Sequence, residues 1–287
     1  MSNGKLGKEF ANPFNYTGSK HRYLSEILKV LPSSENLKVL DPFVGGGDLI
    51  SKLPDSWSVT ASDVSTQLIK MHKAMQAGSI GVNSINTICS DYNLDKENAK
   101  GYFELRSDYN SLTKTGSHCP DLLYSLICHS NTNMMRFNKS GGFNMPFGKR
   151  TFNKNMQNKL LNYCELLNGA SIEFLVNDFS DWDFLKFDLL LIDPPYAGSV
   201  ATYNEQGGWA IEQEMNLYLK VDQAASNGVN FLLFGQVWAN GVYNQMLDIW
   251  SKKYNVVELK NTSHQCSHNR KNDKTIEVMI HNTIGAK

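Results

Sequence analysis

The chain has 287 residues, 41% of them hydrophobic, enough to bury one substantial α/β core with a smaller subdomain beside it. Its 28 Lys+Arg balance 28 Asp+Glu, so a uniformly basic nucleic-acid coat is excluded and any polyanion partner must meet a local patch. Five cysteines at 89, 119, 128, 164 and 266 lack C-x-x-C pairing or a His cluster, the first ten residues are polar, and no apolar stretch nears a membrane span, so reduced thiols, no metal, no membrane contact, no obligatory protein partner and a cytoplasmic location are expected.

Along the chain, Asn15-Tyr16-Thr17-Gly18-Ser19-Lys20 leads into a stretch with Tyr23, Leu24, Ile27, Leu28 and Leu31 on one face, closed by Pro32. The pattern predicts a capped helix over 20–31. Lys20 then sits in a first turn, where the helix dipole disfavours a cation. A ligand carboxylate would resolve that conflict, and a cap with a surface lysine is the plainer alternative. A strand over 38–40 runs through Asp41-Pro42-Phe43-Val44 into Gly45-Gly46-Gly47-Asp48. This turn is neither G-x-G-x-x-G nor a Gly-Lys-Ser/Thr loop, which points away from NAD and ATP and towards S-adenosylmethionine, a ligand without a phosphate. A second strand, over 58–61, ends at Ser62-Asp63. A carboxylate at that strand tip, about 20 residues after the first, is where such folds hold ribose hydroxyls. Asp63 also suits the cap of a helix over 65–76, and the two roles can coexist.

The register then changes. Segments 96–112 and 121–131 read as helices, and 137–143 reads as a hairpin turning at Ser140-Gly141-Gly142. From Leu122 to Cys164 there is no Asp or Glu, while Arg136, Lys139, Lys149, Arg150, Lys154 and Lys159 supply positive charge. That segment is a candidate phosphate-binding surface, with a solvated charged face as the alternative. Strands resume at 172–176, 189–192, 231–234, 256–259 and 276–281. Directly after the fourth of the chain's strands stands Asp193-Pro194-Pro195-Tyr196. An Asp carboxylate and the carbonyl of the first proline can both accept from a planar amino group while Tyr stacks on its ring, which is the chemistry of methyl transfer to such a group. A solvated Asp opening a proline turn is the plain alternative.

These motifs, in this order, resemble the Dam-type DNA adenine methyltransferases, especially the short phage-borne forms, and the resemblance covers almost the whole chain. It implies an α/β fold: a Rossmann-like S-adenosylmethionine-dependent methyltransferase sheet over 1–94 and 168–287, with an inserted helical and hairpin target-recognition domain over 95–167. It implies cofactor contacts at Tyr16, Lys20, Asp41, Gly45, Asp63 and Asp193, and catalysis by Asp193, Pro194 and Tyr196. Thr132 to Asn138 and Phe143 to Arg150 are similar to the family's DNA-reading hairpin and the segment after it. Within them Arg136 and Arg150 are candidates for guanine readout, assisted by Asn138 and Pro146, with Lys139, Lys149 and Lys154 on phosphates. The implied reaction is methylation of a flipped adenine in duplex DNA, at GATC by resemblance. The sequence departs from the family at Asp48-Leu49 and over Ala197 to Trp209. Other readings are a same-motif enzyme acting on the cytosine 4-amino group, RNA or a glutamine amide, and a cofactor-bound DNA-binding regulator without turnover. No Pro-Cys nucleophile of the kind 5-cytosine methylation needs is seen.

Overall fold

A computed structural model describes residues 12–16, 18–196, 209–239, 241–259 and 275–283. In chain order its main elements are α1 (Leu24–Val30), β1 (Lys38–Asp41), β2 (Ser58–Asp63), α2 (Thr66–Gln76), α3 (Val82–Asp91), α4 (Ala99–Lys114), α5 (Pro120–His129), α6 (Lys154–Asn168), β3 (Ile172–Val176), β4 (Leu189–Ile192), α7 (Ile211–Ser226), β5 (Asn230–Ala239), β6 (Val242–Tyr243), α8 (Gln245–Ser251), β7 (Asn255–Leu259) and β8 (Ile276–His281). They form two compact units: Met1–Ser19, Gly45–Asp55 and Asp63–Val176 in one, Lys20–Val44, Ser56–Ser62 and Asn177–Lys287 in the other.

The second unit is a mixed α/β layer with a central sheet. Strand β1 pairs in parallel with β2 on one side and β4 on the other, β4 pairs in parallel with β5, and β8 lies antiparallel between β5 and β7. All four residues of β4 are buried, which is why it reads as an unbroken apolar run rather than an alternating one. Leu190, Ile192, Phe231, Leu233, Val278 and Ile280 send one sheet face against Leu217 and Val221 of α7 and Trp250 of α8, where Trp250 stacks on Tyr218 at 4.3 Å. The register Leu40↔Leu190 brings the carboxyl ends of β1 and β4 out of the sheet side by side. Because β2 leaves β1 on the opposite side from β4, this is a topological switch point, the crevice where open α/β sheets hold ligands.

The first unit is built of helices with one strand. Helix α2 packs on α5, α6 and β3, and α5 packs on α3 and α4. Helix α6, absent from the sequence expectations, is capped by Asn153, which accepts from the Met156 amide, and buries Met156, Leu160, Tyr163 and Leu167 on one stripe. Its charged outer face had merged with the basic run before it. Helices α3, α7 and α8 are likewise additions to the sequence reading. The expected 96–112 helix begins at Ala99, because Asp95 takes the Glu97 and Asn98 amides in a turn and Asn98 caps the helix. The expected hairpin is present as a Phe137↔Phe143 bridge whose turn is closed by Asn138. Asn110 of α4 clasps Phe143 from both backbone sides, and Tyr102 and Arg106 donate to the Met145 carbonyl. No helix among the described residues is long and apolar enough to cross a membrane.

Candidate active site

In the second unit, the exit of β4 carries a charged cluster. Lys20 is 1% exposed, and its ammonium lies 2.7 Å from Asp193 Oδ2 and 3.5 Å from Glu277 Oε1. The Tyr196 hydroxyl is 3.1 Å from Asp193 Oδ1 and 2.9 Å from Glu277 Oε1, and Tyr23 donates to Glu277 Oε2 at 3.1 Å. Lys20 also stands over the rings of Tyr196 and Phe234 at 5.2 and 5.6 Å. The plainer alternative for Lys20, a surface lysine behind a side-chain cap, does not hold. No side chain caps the short 3-10 turn it precedes, and the protein itself supplies carboxylates for the ammonium. Thr17, part of the expected cap, lies outside the described residues. Burial pushes the Asp193 carboxyl up, the Lys20 charge and hydrogen bond draw it back, and the Glu277 charge pushes it up again. Burial, together with the two carboxylates, holds the Tyr196 phenol well above its ordinary range. Pro194 is buried. Asp41, 1% exposed at the end of β1, accepts from the Phe43 amide and closes the start of the glycine turn.

In the first unit, Gly45 and Gly47 adopt φ of +48° and +82°, a backbone only glycine takes without strain. A Cβ on Gly45 or Gly46 would come within 2.7 or 2.9 Å of Tyr16, so that tyrosine lies flush against the loop. The Gly45 amide points at Asp63 Oδ2, 3.3 Å away, and Asp63 Oδ1 accepts from the Ser65 amide at 2.9 Å. The cap of α2 is Ser65, which accepts from Leu68, so the reading of Asp63 as that cap is corrected; its carboxylate braces the glycine loop instead. Burial raises the Asp63 carboxyl to about 6 against the pull of those backbone amides. Behind the loop, buried His72 bonds the Gly45 carbonyl through Nε2 at 2.8 Å and Tyr163 through Nδ1 at 2.8 Å, and stacks on Phe174 at 4.9 Å. Burial lowers His72 to about 4, so the neutral ring donates to Gly45 from Nε2 and accepts the Tyr163 hydroxyl at Nδ1. Sequence reading passed over His72 and Tyr163, whose only local signal is a polar group on a buried helical stripe.

The candidate DNA-reading residues are also in the first unit. Arg136 forks back within the hairpin, Nε to Asn144 Oδ1 at 2.7 Å and Nη2 to the Asn144 carbonyl at 3.1 Å. Asn138 spends its side-chain oxygen on Ser140 and Gly142 of the turn. Arg150 is exposed and donates from Nη1 to Asn133 at 3.0 Å, and Pro146 is exposed. Arg150 lines a cavity of about 410 Å³ with Lys96, Lys149, Lys159, Asn15 and Asn153. Of the stretch 197–209, where a departure from the resembled family is expected, residues 197–208 lie outside the described residues. Among the described residues no group of three or more His, Cys, Asp and Glu could hold a metal ion.

Residues 16–265 match the family described as D12 class N6 adenine-specific DNA methyltransferase. The chain is 30% identical, over 97% of its length, to the type II methyltransferase M.FokI of Planomicrobium okeanokoites, and 30% identical, over 96%, to the modification methylase StsI of Streptococcus sanguinis. It spans 44% and 43% of those two proteins, less than half of each. It is 24% identical, over 76% of its length, to the DNA adenine methylase of Salmonella typhi, of which it covers 78%.

Removing the buried cation leaves two carboxylates facing each other. Lys20→Met is expected to cost about 3 kcal/mol of unfolding free energy at pH 8. Lys20 is what draws the Asp193 carboxyl down, so without it the folded-state value rises further above the unfolded one. The variant therefore keeps its stability at low pH, where the carboxyl is protonated in both states, and loses it as pH rises. Denaturant titrations at pH 5 and pH 8 should give a smaller deficit at pH 5, and an equal deficit at both contradicts the assignment.

Proposed function

From the premise that this chain belongs to the D12 class of N6 adenine-specific DNA methyltransferases, we propose that it transfers a methyl group from S-adenosylmethionine to the exocyclic amino group of an adenine flipped out of duplex DNA, at a GATC-like site. The observation that carries this reading is Asp193-Pro194-Pro195-Tyr196 at the exit of β4, with its carboxylate anchored 2.7 Å from the Lys20 ammonium.

The lone pair of an aryl amine is delocalised into its ring, and catalysis must gather it onto nitrogen. Asp193 and the Pro194 carbonyl accept from the two amino hydrogens. A carboxylate offers about four acceptor positions, so the contacts from Lys20 and Tyr196 leave Asp193 room for one more donor. The Tyr196 ring stacks on the extruded base, and the extrusion itself costs a few kcal/mol. Rate enhancement comes from positioning and preorganised charge, with no covalent enzyme intermediate.

The residues of the glycine turn fit the proposed cofactor, which supplies a methyl group on a sulfonium. The strained turn permits close backbone approach at Gly45, Asp63 keeps lone pairs for ribose hydroxyls beside its two backbone donors, and Tyr16 offers an aromatic wall. Asp41 shapes the entry to the turn. Lys20 serves the site through Asp193. For the DNA, we assign base readout to Arg150 and Pro146, both exposed, bracing of the hairpin to Arg136 and Asn138, and phosphate contacts to Lys139, Lys149 and Lys154.

Expression in methylation-free cells followed by long-read mapping of modified bases tests the reaction and its site together. N6-methyladenine in one short sequence context is expected from the wild-type chain, and Asp193→Ala should lower it about 10²-fold or more while DNA binding persists. Methylated cytosine in place of adenine, or full activity in Asp193→Ala, overturns the reading.

Ribose hydroxyls are donors, so the proposed cofactor contact needs Asp63 ionised. With that carboxyl at about 6, affinity for S-adenosylmethionine should be about tenfold weaker at pH 5 than at pH 7. Calorimetry on Asp63→Asn should give weak binding without that slope, and the same slope in the variant would assign the pH dependence to another group.

A further inference from the structure

A glutamate stands where strand β8 should be apolar. Val278 and Ile280 fill the core under α7 and α8, and by alternation Glu277 shares the other face with Met279 and His281. Its neighbours across the ladder are Gln236 of β5 and Leu259 of β7, both neutral. A carboxylate only 15% exposed in an interior strand is expensive to keep unless paired. Here it is paired on both oxygens, Oε1 with Tyr196 and Lys20, and Oε2 with Tyr23.

We propose that Glu277 is a positioning residue for methyl transfer, which accepts the hydrogen bond of the Tyr196 phenol and so leaves the lone pairs of Asp193 Oδ1 to the substrate amino group. The proposal rests on the reading of Asp193 given above. A phenol has one proton, and two carboxylates compete for it: Glu277 Oε1 at 2.9 Å and Asp193 Oδ1 at 3.1 Å. If Asp193 wins, Oδ1 shares its charge between that internal donor and the amine and accepts from the amine less strongly. Glu277 offers the shorter contact and holds the hydroxyl end of the ring while the face remains available for stacking. Tyr23 fixes Glu277 from its other oxygen, and Lys20, shared between the two carboxylates, sets the spacing between them. The charged and titratable groups that the described contacts bring to Glu277 are thus Lys20, Tyr23, Asp193 and Tyr196.

The test uses Glu277→Ala and Glu277→Gln in the full chain, with two readouts. In steady-state methylation of duplex DNA, Glu277→Ala should lower kcat roughly 10- to 100-fold, the range expected when a reacting group is slightly misplaced, with the dissociation constant of S-adenosylmethionine changed less than about twofold. Glu277→Gln keeps an acceptor oxygen and should recover most of kcat, while the acid limb of its pH profile moves to lower pH because a like charge facing Asp193 has gone. The second readout needs no turnover: the carboxyl carbon of Asp193, assigned in NMR spectra with Asp193→Asn, should titrate at lower pH in Glu277→Gln than in wild type. If Glu277→Ala fails to fold, Glu277→Gln decides by the position of its acid limb and by the Asp193 titration, and an unmoved limb with an unmoved titration overturns the proposal. Wild-type kcat in the variants together with an unmoved Asp193 titration overturns the proposal. A wild-type chain that methylates no adenine would instead overturn the proposed function, and the NMR shift alone would then decide whether Glu277 governs Asp193.

Discussion

The second unit is organised around one ammonium group removed from water. Lys20, 1% exposed, is tolerable there because Asp193 and Glu277 face it, and the carboxylates are in turn held by Lys20 and the hydroxyls of Tyr196 and Tyr23. The requirement is mutual, so the segment before α1, the exit of β4 and the start of β8 must arrive together. Burial opposes charge on Asp193 while Lys20 restores it, and the outcome is a carboxylate of fixed position with lone pairs to spare. Such a group accepts hydrogen bonds strongly without being solvated, which is what an amine of low basicity requires of its partner.

A parallel economy holds the glycine loop of the first unit. Three glycines remove side chains but leave a floppy backbone, and the loop needs outside bracing to keep one shape. Asp63 approaches the Gly45 amide and His72 bonds the Gly45 carbonyl, so the two polar groups of one peptide-flanked residue are pinned from different elements. Tyr163 holds His72 in the tautomer that donates to the loop, and a Cβ on Gly47 would come within 2.4 Å of the same hydroxyl. The histidine stays neutral through the physiological range, so its half of the brace holds there unchanged.

How much of this was legible in the sequence divides along the range of the interaction. The strand β4 and its Asp193-Pro194-Pro195-Tyr196 exit, the strand β1 and its glycine turn, and Asp63 at the tip of β2 are local patterns of period and turn chemistry, and they stand where expected. Lys20 was legible as an anomaly, a cation at an unfavourable helix start, but its partners were not, because nothing local connects residue 20 to β4 or β8. Glu277 lies 254 positions from Tyr23, and an isolated Glu in Ile276–His281 looks like an ordinary edge-strand charge until the register places it inside the sheet. Arg136 is the converse: its residue type fits guanine readout, yet its guanidinium closes on Asn144, a pairing eight residues away that sequence pattern does not encode. Helix α6 was hidden by its own surface, whose lysines and asparagines mask a four-residue apolar stripe.

The central claim is that Lys20 and Asp193 act as one unit, and a double-mutant cycle on unfolding free energy at neutral pH tests it most directly. With Lys20→Met and Asp193→Asn as the single changes, the double variant should be more stable than the sum of the two losses predicts, with a coupling of roughly 1–3 kcal/mol. Losses that add to within about 0.5 kcal/mol would mean that the ion pair does not hold Asp193 in place, and the account of the site would be contradicted.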